Sequence, residues 1–194
     1  MLRLDEPSGP HSSEGFRYVL REVWLSPRKF FGRLDPDGGP VRPALFAATI
    51  LYLNLLLGEL LRLLWRLEFN YGLLYAALPG LVASLVLAPL LVAGLSALVL
   101  TILDGAPSRR KFGPVFRALG YATAIGFVLW IPFAPFVAIP YGLYVATVAV
   151  KEMLFISWRR AAASTLAPLG AAILILLLLA GPEAYDLLVN PPGE

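Results

Sequence analysis

The sequence predicts an all-α, polytopic membrane bundle of five transmembrane helices with an interfacial amphipathic helix at its N-terminus, and three observations predict it. Of 194 residues, 58% are hydrophobic and 15% charged, where soluble domains run near half apolar and about a quarter charged; the mean hydropathy is +0.73. Five stretches are long enough, at about 1.5 Å per helical residue, to cross the roughly 30 Å of a bilayer's hydrocarbon. The basic residues gather in alternate loops, the pattern that orients membrane spans. The same inventory removes chemistry. With no Cys and one His, disulfide scaffolds, thiol nucleophiles and Cys-based zinc sites are excluded.

Residues 1–40 are expected to be a cytoplasmic segment. Phe16, Val19, Leu20, Val23 and Trp24 fall at i, i+3, i+4, i+7 and i+8, with Arg17 and Arg21 on another face, which predicts a helix lying on the inner leaflet. It serves either to anchor and orient the chain or to dock a cytosolic partner. Ser26-Pro27 restarts the chain with an N-cap residue and a proline at the first helical position. Asp35-Pro36-Asp37-Gly38-Gly39-Pro40 is a turn cluster.

The membrane domain is expected over residues 41–181, with the first span at 44–65. Ala77-Leu78-Pro79-Gly80 is expected to part a surface piece from a second span at 80–103. From Val115 to Ile156 the apolar sequence would be roughly 63 Å long as a helix, far too long for one crossing. Pro132-Phe133-Ala134-Pro135 supplies the turn of a hairpin, giving spans at 114–131 and 135–155. A fifth span at 161–180 and a short extracytoplasmic tail at 182–194 complete the chain. Ala93-Gly94-Ala97 on the second span and Ala163, Ala167 and Ala171 beside Gly170 on the fifth offer small-residue faces for close helix packing, or for a homo-oligomer.

Seven basic residues precede the first span: Arg3, Arg17, Arg21, Arg28, Lys29, Arg33 and Arg42. Arg109, Arg110, Lys111 and Arg117 mark the second loop, and Lys151, Arg159 and Arg160 the fourth; the tail from Gly181 has acidic residues only. The N-terminus is therefore expected in the cytoplasm and the C-terminus outside, in the cytoplasmic (inner) membrane. No signal-peptide pattern is visible. The net charge of +3 serves this anchoring, not nucleic acid.

Polar residues within spans are the candidate functional positions, because each is costly there. Tyr144, Thr147 and Lys151 share one face of the fourth span, Tyr121 and Arg117 lie on the third, and Glu152 is placed to neutralise Arg117 or Lys151. These positions read as structural anchors or as a headgroup, ion or substrate site. Arg109-Arg110-Lys111 reads as a topology signal or a site for a phosphate or anionic lipid headgroup. Glu59, Arg62 and Arg66 form an interfacial face with an intrahelical pair. No G-x-S-x-G, H-E-x-x-H or P-loop occurs, so no enzyme, metal site or cofactor is expected.

Several of these residues carry a resemblance. Ser26-Pro27-Arg28-Lys29-Phe30-Phe31 resembles the P-x-x-F-F opening of the Yip1 domain family, and Phe116-Arg117-Ala118-Leu119-Gly120-Tyr121-Ala122 is similar to its F-R-x-x-x-Y-A opening of the third span, with Ile131-Pro132 following. Lys151-Glu152 and Ser157-Trp158-Arg159-Arg160-Ala161 are similar to its link between spans four and five. Two places depart: Asp104-Gly105 stands where many members have Gly-Gly, and Met153-Leu154-Phe155 replaces a frequent His-Gly. The resemblance implies five spans with the N-terminus inside, and eukaryotic members are associated with small GTPases and vesicle traffic. Thirteen Arg against three Lys, in a chain rich in Leu, Ala and Gly, point to a GC-rich genome and the prokaryotic branch. The expectation is a non-enzymatic protein that organises the membrane or binds a cytosolic or membrane partner at the cytoplasmic face. Its alternative is a small transporter, channel or lipid-moving protein using Arg117, Tyr121, Lys151 and Glu152.

Overall fold

The computed structural model describes residues 13–66, 72–105 and 109–168, and among these every regular element is a helix. In chain order they are α1 (Ser13–Leu25), α2 (Pro27–Arg33), α3 (Val41–Arg66), α4 (Gly72–Asp104), α5 (Arg109–Ala122), a 3-10 turn (Thr123–Val128), α6 (Pro135–Leu154) and α7, described over 158–168. Three segments, Val41–Trp65, Ala77–Asp104 and Pro135–Leu154, are long and apolar enough to cross a membrane.

Helices α3 and α4 pair as a hairpin, and α4 turns a stripe of mostly small residues inward, with Val99 and Leu100 buried beyond it. On α4 the residues Gly80, Ser84, Ala88, Val92 and Ser96 recur every fourth position and are all buried, while Val82, Val86, Leu90, Leu91 and Leu98 stand exposed. A water-soluble helix would invert this arrangement. In hydrocarbon, large side chains gain nothing by turning inward, so helices associate through small residues that let backbones approach. The buried hydroxyls are satisfied within their own helix: Ser84 Oγ donates to Leu81 O at 2.9 Å and Ser96 Oγ to Val92 O at 2.6 Å.

This places the α4 stripe one register away from the Ala93-Gly94-Ala97 face. Gly94 is exposed, and a Cβ there would meet nothing within 4 Å. On α7 likewise Ala163 and Ala167 are exposed, whereas Ala161, Ser164 and Thr165 are buried. Ser84 and Ser96 lie on the buried side of α4, and Ser164 and Thr165 on that of α7. Gly170 and Ala171 lie outside the described residues.

Ala77-Leu78-Pro79-Gly80 does not interrupt the helix. Helix α4 runs 33 residues with Pro79 and Pro89 inside it. A proline in an apolar helix forfeits one i→i−4 bond, and apolar membrane helices tolerate that loss.

Helix α5 is the centre of the bundle. All seven residues from Val115 to Tyr121 are buried, so this stretch of the helix is sheathed by protein on every side. That enclosure lets this stretch hold an arginine and a glycine in its middle. It does not continue as one α-helix to Ile131. After Ala122 the chain tightens into the 3-10 turn, with Thr123 Oγ1 bonded to Gly120 O at 2.6 Å. It reverses through residues 129–134, where Phe133 adopts φ 67°, and α6 starts on Pro135.

Helix α1 spends its apolar stripe on the bundle itself. Val23 is fully buried, and Phe16, Val19, Leu20 and Trp24 pack against a core that includes Phe46, Ala124 and Val145. Phe16 meets Phe46 with ring centroids 5.3 Å apart. Trp24 Nε1 donates to Ala124 O at 3.1 Å, and Tyr141 Oη donates to Trp24 O at 2.5 Å. The second bond satisfies a carbonyl of the last helical turn, which has no intrahelical donor. Ser26, placed to cap α2, makes no side-chain cap bond there; its backbone joins the two helices instead, its carbonyl accepting from Phe30 N at 3.0 Å and its N–H donating to Glu22 O at 2.8 Å.

Tyr141→Phe and Trp24→Phe should each loosen this docking by about 1 kcal/mol, the net worth of one hydrogen bond. Amide exchange of residues 13–25 should accelerate about fivefold in each variant while that of α3 stays unchanged. Equal acceleration in both helices would place the loss elsewhere.

Candidate functional site

The candidate residues do not converge on one centre. Arg117, on the buried face of α5, is 1% exposed, the largest fully buried side chain among the described residues. Its Nη1 donates to Gly39 O at 2.9 Å. A Cβ placed on Gly38 would fall directly on its guanidinium. The turn cluster over 35–40 is itself closed by Asp37 N on Asp35 Oδ1 at 3.2 Å. Glycine at 38 thus lets the backbone ride over a buried cation, whose charge a carbonyl dipole helps to stabilise.

Tyr121, one turn later, is 4% exposed and closes an aromatic cluster, its ring 5.7 Å from Phe30 and 5.5 Å from Phe46. The two phenylalanines of the Pro27–Phe31 motif therefore serve the same core: Phe31 is 1% exposed and stacks edge-on against Phe30 at 5.0 Å.

On α6 the face shared by Tyr144, Thr147 and Lys151 packs toward α7. Tyr144 lies 5.9 Å from both Tyr141 and Trp158. Thr147 and Thr165 share a buried hydroxyl bond of 2.7 Å. Glu152 takes its ion pair from Lys151, with Nζ to Oε1 at 2.6 Å, and not from Arg117. In the second loop Lys111 Nζ holds both carboxylate oxygens of Asp104 at 2.9 Å. The aspartate that departs from the Gly-Gly pattern thereby fixes the start of α5 to the end of α4. Arg109 and Arg110 remain exposed beside it.

A second feature lies at the opposite end. A cavity of about 860 Å³ opens between α3, α4, the 3-10 turn and the start of α6. Its walls are apolar, with Asn54 within and Arg62 and Trp65 at the far end. Asn54 Nδ2 donates to Ile50 O at 3.0 Å and to Gly126 O at 2.7 Å, cross-linking α3 to the 3-10 turn. Asn54 Oδ1 and Trp130 Nε1 are buried and find no hydrogen-bond partner among the described residues. Arg62 pairs with Glu59 at 2.6 Å on the exposed surface.

None of Arg117, Tyr121, Lys151 and Glu152 is among the described residues lining this cavity. The sequence reading passed over it, although a lone asparagine in a leucine-rich span was the available signal. Among the described residues no three His, Cys, Asp or Glu side chains gather as a metal site would require.

No curated protein and no solved structure matches this chain. The family model of the Yip1 domain matches residues 21–180, a range that takes in the Pro27–Phe31 motif, the Arg117 turn, the Tyr121 cluster and the Lys151–Glu152 pair. With most of its length matched, and with spanning helices arranged around a sheathed α5, the chain belongs to the Yip1 domain family.

Proposed function

We propose that this protein is a non-enzymatic organiser of the cytoplasmic (inner) membrane that binds a partner through its cytoplasmic face. In this reading the chain crosses five times. The three apolar helices are joined by α5 with its 3-10 continuation, sheathed by protein, and by residues 161–180. The N-terminus is cytoplasmic and the C-terminus extracytoplasmic.

One observation carries the reading. Arg28, Lys29, Arg33, Arg109, Arg110, Arg159 and Arg160 belong to segments at one end of the bundle, all are exposed, and none enters an ion pair among the described residues. Such an end faces the cytoplasm by the positive-inside rule and attracts anionic headgroups at about 1 kcal/mol per cation. The outer surface of α1 adds Arg17 and Arg21 to it, since the helix's apolar side is already covered by the bundle. The alternative, a path through Arg117, Tyr121, Lys151 and Glu152, has less support: two of the four are buried and the other two are paired with each other.

Two experiments test this. The chain has no cysteine, so Ser8→Cys, Arg110→Cys and Asn190→Cys report topology without background. Labelling of the first two from the cytoplasmic side only and of the third from outside is expected, and a shared side for positions 8 and 190 would overturn the five-span arrangement. In proteoliposomes the wild type should show no ion or fluorescent-lipid flux. Photo-cross-links from position 110 to a partner in native membranes should be lost in Arg109→Glu. Flux that disappears in Lys151→Ala or Glu152→Ala would establish transport instead.

A further inference from the structure

We infer that the cavity at the end away from the basic loops is a phospholipid site, with an acyl chain between α3 and α4 and the headgroup phosphate at Arg62. Its volume of about 860 Å³ falls in the range of built ligand sites, which are mostly apolar with a few placed polar groups. The α4 wall, at Leu91 and Val92, continues into the exposed face of Leu87 and Leu90. The cavity therefore adjoins the bilayer's hydrocarbon, and an apolar space of this kind does not fill with water. Left empty, its lining would forfeit dispersion contacts on one side. A lipid tail is the apolar filler that surrounds it.

The polar groups stand in the order that a phospholipid requires. Asn54 lies deep, Arg62 about 12 Å further along α3, and Trp65 beyond it. Arg62 uses one nitrogen for Glu59, and a guanidinium retains further N–H donors suited to a phosphate. Trp130 lines the cavity, with its Nε1 buried away from that space. This site is independent of the partner-binding reading, for it lies at the other end and uses other residues.

The test reads Trp130 directly. The chain has four tryptophans, so Trp24→Phe, Trp65→Phe and Trp158→Phe together leave Trp130 alone. The full chain is placed in phosphatidylcholine nanodiscs, and phosphatidylglycerol with brominated acyl chains is titrated in. Quenching of Trp130 should saturate at a low mole fraction, and brominated phosphatidylcholine should require more. Arg62→Gln, a surface change, should weaken the preference about fivefold, the effect of one cation near the membrane surface.

Gly58 lines the cavity, and a Cβ there meets nothing within 4 Å, so Gly58→Leu fills the space without displacing backbone and should abolish saturation. Quenching merely proportional to the brominated fraction, equal for both lipids, would overturn the proposal. Complete protection of Trp130 from bromine would overturn it too, and would assign the cavity to protein: residues 169–194 of this chain or a second copy.

Discussion

Gly120→Val should cost the bundle about 3 kcal/mol, the upper end of what overpacking a well-filled interior does, and should lower the thermal midpoint in detergent by several degrees. Helix α5 crosses α3 with backbones almost touching. A Cβ on Gly120 would stand 2.8 Å from Pro43 Cβ and 3.1 Å from Pro43 O. Neither neighbour can swing aside, because the proline ring locks its own backbone and Pro43 is itself fully buried. Valine adds two methyl groups beyond that Cβ, at a crossing where glycine lets the two backbones approach. Gly94→Ala is the matched comparison, since it too sits within a long helix but has nothing within 4 Å. It should be neutral or stabilising by up to about 1 kcal/mol through helix propensity. Circular-dichroism melts of the two variants side by side decide the matter. A Gly120→Val protein that melts with the wild type would mean that α3 and α5 do not meet at Pro43.

That contact shows what the sequence concealed. An all-helical membrane protein was legible because leucine-rich runs and loop arginines are written in consecutive residues, and the family was legible because Phe116–Ala122 holds its pattern within seven positions. The register of the helices was not. In α4 nearly every position is apolar, so the contrast that marks an inward face in water vanishes; Ser84 and Ser96, twelve residues apart, were the only marks of the buried side. In α1 the apolar stripe was plain, yet lipid and protein are equally apolar cover, and periodicity cannot distinguish them. Arg117 was visible as a cation near a span end, and Glu152 offered itself as a carboxylate. Its observed acceptor, the Gly39 carbonyl, is a backbone atom 78 positions away, and a carbonyl has no signature in sequence. Asn54 was the reverse case, a lone amide in a leucine run whose meaning needed only the question of what it bonds.

Arg117→Ala should cost about 3 kcal/mol, from the space left by a large buried side chain and from the Gly39 carbonyl stripped of its donor. The single value would not show that the loop over 35–40 is what Arg117 holds, but its coupling to Gly38 would. The backbone at Gly38 lies outside the left-handed region, so any cost of a side chain there is steric. Gly38→Val in the wild type must displace the guanidinium, at about 2 kcal/mol. In the Arg117→Ala background the same methyl groups enter the space that the guanidinium has left, so the cost should fall to a few tenths of that. A coupling of about 1–2 kcal/mol between two contacting sites is the expected result. Arg117→Lys should recover only part of the loss, because an ammonium reproduces the charge without the planar fork of donors. Additivity within about 0.5 kcal/mol would mean that loop and guanidinium do not touch. The consequence reaches past stability, since this loop is the sole covalent link from α1 and α2 to the first apolar helix. Loosening it should raise amide exchange across residues 13–33 together, because the docked N-terminal helices and the buried arginine depend on one connection.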